Sequence, residues 1–138
     1  MPSILNPYLS FRDTARDAME FYQTVFGGKL TLSTFKEYHA SPDPNEDNKI
    51  MHGMLEGANG ITLMGADTPN SMEYNAGSNG SISLSGDNHA ELKTFFEKLT
   101  AGGTITQPLE QAPWGDSFGM VVDKFGVNWL VNIAGKKP

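Results

Sequence analysis

Leu9-Ser10-Phe11-Arg12-Asp13 opens a run that closes on Phe26-Gly27-Gly28-Lys29-Leu30. Leu84-Ser85-Gly86-Asp87 opens a second run that closes on Ala101-Gly102-Gly103-Thr104-Ile105. Leu9 and Leu84 are 75 positions apart, as are Gly27 and Gly102. Between these anchors the match is better at 74, where Asp13 falls on Asp87, Ala18 on Leu92, Tyr22 on Phe96 and Val25 on Leu99. Internal repetition decides architecture before any local feature does. It predicts two similar modules with a shared site between them.

The first run contains Ala15, Ala18, Met19, Tyr22, Val25 and Phe26, one apolar face at helical spacing. Asp13 is placed to cap that helix and Gly27-Gly28 to end it. Upstream, Leu5, Leu9 and Phe11 alternate with Asn6, Tyr8 and Ser10, a period of two that predicts a strand. Downstream, residues 30–38 read as a second strand and 39–49 as a proline-broken loop. Residues 50–56 and 61–66 flank Gly57-Ala58-Asn59-Gly60, a hairpin signal. Residues 67–80, rich in Asn, Ser and Gly, separate the repeats.

The second copy repeats the order. Ile82 and Leu84 oppose Ser81, Ser83 and Ser85 on a strand. Leu92, Phe95, Phe96 and Leu99 mark a helix, with His89 in its first turn. Ile105 begins a strand, and residues 107–116 read as a loop carrying Trp114-Gly115-Asp116. Residues 118–122 and 127–133 form a closing hairpin around Asp123-Lys124-Phe125-Gly126, with Trp129 on its core side. Each module is βαβββ. The predicted class is α+β, a single domain over residues 1–138 built from module 1 (about 1–67), a linker (about 68–79) and module 2 (about 80–138). Each helix covers one sheet face, so the other must meet a second module, a second subunit or a ligand.

Composition narrows function. A net charge of −6 with scattered Lys and Arg excludes a nucleic-acid surface, which needs clustered cations. The absence of cysteine excludes disulfides, thiol nucleophiles and thiolate metal sites. No apolar run spans a bilayer and no secretory start is seen, so no membrane partner and a cytoplasmic location are expected. No Gly-x-Ser-x-Gly elbow is present, Gly77-Ser78-Asn79-Gly80 lacking its spacing, and no Gly-x-Gly-x-x-Gly follows a strand. That argues against a dinucleotide and against a Rossmann-type methyl donor.

Phe21-Tyr22 before Phe26-Gly27-Gly28, and Asp123-Lys-Phe-Gly126 before a last strand, resemble the vicinal oxygen chelate superfamily of glyoxalase I, extradiol dioxygenases and bleomycin-resistance proteins. Pro7-Tyr-Leu-Ser-Phe11, Trp114-Gly-Asp-x-Phe-Gly119 and Asp123-Lys-Phe-Gly-Val-Asn-Trp129 are similar to its PhnB-like branch. The resemblance implies a cupped, largely antiparallel sheet around a cavity, helices outside, completed as a homodimer. It also implies four metal ligands, His or carboxylate, one from the first strand and one from the last strand of each module.

The matching positions are Asn6, Met64 (or Thr62, two residues earlier), Ser81 and Leu130. None is His, Asp or Glu, so the usual metal centre is expected to be missing, with no cofactor in its place. The candidate ligand-binding residues are Tyr8, Ser10, Met64, Ser81, Ser83, Trp114, Asn128, Leu130 and Asn132. Trp114 reads equally as a lid or a dimer anchor. His52 is the candidate catalytic residue, its facing left open by the hairpin register, while His39 and His89 read as solvated. The acidic stretch Asp43 to Asp47 reads as a solvated loop. The expectation is metal-independent binding of a small molecule. The alternatives are a superfamily enzyme using side-chain acid–base chemistry, or a ligand-free structural dimer.

Overall fold

A computed structural model describes residues 5–39, 41–57, 60–75, 77 and 79–135. The chain divides between residues 76 and 77 into two compact units. In the first, β1 (Tyr8–Phe11), β2 (Lys29–Thr34), β3 (Ile50–Glu56) and β4 (Thr62–Asp67) form one sheet in the order β1-β4-β3-β2. In the second, β5 (Ile82–Gly86), β6 (Thr104–Gln111), β7 (Ser117–Val122) and β8 (Asn128–Ile133) form another in the order β5-β8-β7-β6. The topologies are identical. In each, the first strand runs parallel to the last and the other two pairings are antiparallel. The α+β class and the βαβββ order hold.

Helix α1 (Ala15–Phe26) buries the six residues its spacing singles out. Tyr22 and Met19 are fully enclosed, each worth about 1.5–3 kcal/mol in burial. Helix α3 (His89–Leu99) buries Leu92, Phe96 and Leu99. Val121, Trp129, Val131 and Ile133 are buried with them in the second unit.

The repeated Gly-Gly has a physical cause. Gly27 and Gly102 take φ of +70° and +74°, where side chains are strained. A Cβ on Gly28 would collide with the Glu56 carbonyl oxygen, and one on Gly103 with that of Val122. In both units the chain leaving the helix passes so close to the end of a strand that only glycine fits.

Several local expectations fail. The first strand starts at Tyr8, after Pro7 (which has no N–H), and Leu5 is 98% exposed rather than on the apolar face. Asp13 does not cap α1. Its backbone is left-handed, at φ +69°, and its carboxylate pairs with Lys49 at 2.8 Å. The cap comes from Asp67 at the end of β4, whose Oδ1 accepts from Ala15 N and whose Oδ2 accepts from Ile50 N, both at 3.0 Å.

The second strand stops at Thr34 because Thr34 and Glu37 form a reciprocal capping box that starts a one-turn helix, α2 (Phe35–Tyr38). The strand after Ile105 continues through Pro108 to Gln111, with two register shifts, where a loop was expected. The acidic loop is not wholly solvated. Glu46 is buried, accepting from Lys49 Nζ, Asn70 N and Ser41 Oγ, and its pKa is held at about 2, with Lys49 the main cause. Lys49 is in turn raised above its ordinary value by Asp13 and then Glu46. The first hairpin turn lies partly outside the described residues, at 58 and 59, as do residues 76 and 78 of the linker.

Candidate functional site

Which side chains line the face of the first sheet turned away from α1 follows from two glycines. Gly53 and Gly65 pair across β3 and β4, and a Cβ on either would press on Met19 of α1. They therefore mark the helix side. Alternation sends Met54 and His52 on β3, Met64 on β4, and Tyr8 and Ser10 on β1 to the other side. Register aligns Tyr8 with Met64, Met64 with Met54, and Met54 with Thr31, one continuous row across the sheet. His52 lies next to this row, beside Ser33, with its ring 6.4 Å from that of Tyr8. The facing of His52, open in the sequence, is thus fixed: it shares the face of Tyr8, Met54 and Met64.

The second sheet repeats the arrangement with other chemistry. Gly119 marks the helix side, since a Cβ there would strike Phe96 and Leu109. Ser83, Leu130, Met120 and Gln107 form the row that matches Tyr8, Met64, Met54 and Thr31. Asn132 and Phe118 lie beside it. Two of the candidate amides are already engaged. Asn128 Nδ2 donates to Gly80 O at 3.2 Å, and Asn132 Nδ2 donates to Asp116 Oδ2 at 3.1 Å. Asp116 also accepts from Gly135 N, and these bonds, that of Gly135 first, hold its carboxyl below the usual range. Trp114 sits in the β6–β7 turn, 68% exposed.

The positions corresponding to the superfamily's metal ligands are distributed as follows. Asn6 and Ser81 precede β1 and β5 rather than lying in them. Met64 faces Tyr8, and Leu130 faces Ser83. An alkyl group donates nothing, a thioether is a soft donor, and a neutral hydroxyl or carboxamide binds a divalent ion weakly. These side chains do not fit the implied metal. Among the described residues no three His, Asp or Glu side chains gather as a metal-binding group. None of the described helices is long and apolar enough to cross a membrane.

Sequence reasoning missed Met54 and Met120, the partners of Met64 and Leu130 in their rows. Period-two alternation from Gly53 and Gly119 would have found them.

The topology and the strand positions together define a glyoxalase-type module present twice. Residues 4–131 match the family model of the Glyoxalase/Bleomycin resistance protein/Dioxygenase superfamily, and the chain belongs to that superfamily. It is 29% identical to protein YjdN of Escherichia coli, the match covering 97% of both chains. Among solved structures it is similar to protein PA1353 of Pseudomonas aeruginosa, with TM-score 0.81 and 34% identity over 98% of this chain and 100% of that one. It is also similar to the PhnB protein of Bacillus cereus, a candidate 3-demethylubiquinone-9 3-methyltransferase, with TM-score 0.76 and 26% identity over 96% and 100% of the two chains.

Proposed function

We propose that this protein binds a small molecule on the helix-free faces of its sheets without using a metal. The observation that supports this most is chemical. At Asn6, Met64, Ser81 and Leu130 the chain carries no group that clasps a divalent cation, while the same faces carry half-buried methionines beside hydroxyls and amides. Apolar surface with a few polar groups is the usual lining of a small-molecule site. The homodimer implied by the resemblance belongs to the same proposal.

A second reading, an enzyme using His52 as acid or base with Tyr8, is favoured by the neighbouring rings of these residues. The methyltransferase activity suggested for the Bacillus cereus relative gains no support from either sheet. Neither is a doubly wound parallel sheet, and the sequence has no glycine-rich dinucleotide-type turn.

Two measurements test the proposal. Protein purified without chelators should hold well under one metal ion per chain, and stoichiometric Ni, Zn, Fe or Mn would overturn metal independence. A thermal-shift screen of a broad library should yield compounds that raise Tm, because a ligand bound only to the native state stabilises it. That effect should vanish in Tyr8→Ala. A screen without a single hit would leave the binding proposal untenable.

A further inference from the structure

Resting on that binding reading, we infer that the first unit's open face takes a planar aromatic molecule bearing a hydroxyl or carbonyl oxygen. The ring would lie on Met54 and Met64, and the oxygen would meet Tyr8 and His52.

Four observations combine. Met54 and Met64 are direct cross-strand partners and both are half-buried, forming a thioether floor. Methionine sulfur is polarisable and packs well against aromatic rings. Tyr8 stands beside Met64 in the next strand and is 53% exposed. The His52 ring lies 6.4 Å from it, with the two planes tilted by 34°.

The polar tips decide the ligand's chemistry. Among the described residues neither the Tyr8 hydroxyl nor either His52 ring nitrogen has a hydrogen-bond partner. Neither residue contributes a buried unpartnered atom, so both tips are open to solvent and to the oxygen of a ligand. Both tips rise from the same uncharged floor. Lys29 and Glu56 are register partners on the same face, one step beyond Met54 along the strands and away from His52. The arrangement offers a polarisable thioether floor with hydrogen-bonding capacity at one edge, and an oxygen-bearing aromatic ring matches both parts.

The test compares three probes of one skeleton on the full-length protein by calorimetry and thermal shift. They are 1-naphthol, naphthalene and decahydro-1-naphthol. The expected order places 1-naphthol at least about fivefold tighter than either of the others, the size of one lost hydrogen bond or lost ring contact. Tyr8→Phe and His52→Ala should each weaken 1-naphthol about fivefold and leave naphthalene unchanged. Met64→Glu should abolish binding of all three. Far-UV circular dichroism verifies that each variant is folded. Decahydro-1-naphthol binding as tightly as 1-naphthol would overturn the inference, as would 1-naphthol affinity that neither Tyr8→Phe nor His52→Ala alters. If only non-aromatic compounds from the wider library raise Tm, this inference falls and small-molecule binding stands. If no compound does, both fall.

Discussion

The Asp123 carboxylate offers the sharpest quantitative test of how the second unit is held. It is 3% exposed, and its two oxygens hold both the turn and the core beside it. Oδ1 takes Phe125 N at 2.8 Å and Val127 N at 3.1 Å, shaping the β7–β8 turn. Oδ2 takes the indole Nε1 of Trp129 at 2.8 Å, tying the largest core side chain to that turn. In Asp123→Asn one oxygen becomes an NH2 group. If the remaining oxygen keeps the two amides, the new NH2 faces the indole N–H, donor against donor. If it turns to the indole, two backbone amides are stranded. The first arrangement is the cheaper, and it loses one charge-assisted bond in a buried place, about 2 kcal/mol.

Trp129→Phe removes the indole donor and leaves a partial cavity, about 2 kcal/mol by itself. In the double variant the amide of residue 123 no longer opposes a donor, so the asparagine should add less than about 1 kcal/mol. Urea denaturation of all four proteins, followed by far-UV circular dichroism, should therefore give a coupling of at least about 1 kcal/mol. Single effects that add to within about 0.5 kcal/mol would refute the claim that Asp123 acts through Trp129.

Acid stability should depend on Glu46. Its pKa falls from an ordinary 4.5 to about 2 on folding, so its stabilisation is complete above the unfolded value and drains away as pH falls from 4.5 towards 2. Glu46→Gln should flatten the acid limb of a Tm-against-pH curve in that window; an unchanged limb would contradict the assignment. Gly28→Ala and Gly103→Ala should each lower stability by at least about 1–3 kcal/mol, because the new methyl meets a strand-end carbonyl and only backbone movement relieves it. Wild-type stability for either alanine variant would show that the close approach is not required.

Signals that repeat or alternate were legible in the sequence. The duplication, the buried face of α1, strand β3 and the closing hairpin all stand as the spacing places them. What escaped depends on partners far along the chain. Nothing near Ala15 announces that its amide is met by Asp67, 52 residues on. Glu46 is drawn into the interior by Lys49, Ser41 and Asn70 together, and proline-rich acidic composition alone suggests a solvated loop.

The helix at Phe35 was within reach, since Thr34 and Glu37 form the capping pattern. The alternation of Leu30 and Leu32 masked it by suggesting a longer strand. Of the candidate site, Tyr8, Ser10 and Met64 share a face with His52, and Ser83, Leu130 and Asn132 share one in the second unit. Hydrogen bonds that occupy the Asn128 and Asn132 amides could not be read from residue type.

The two rows of side chains have drifted apart while their backbones kept one register. Where the first unit has Tyr8, Met64 and His52, the matching places of the second hold Ser83, Leu130 and Phe118. The two units share a strand order and a register but not these side chains. The proposed ring-accepting surface has no counterpart at these matching places of the second unit, so saturation should stop at one equivalent of aromatic compound per polypeptide.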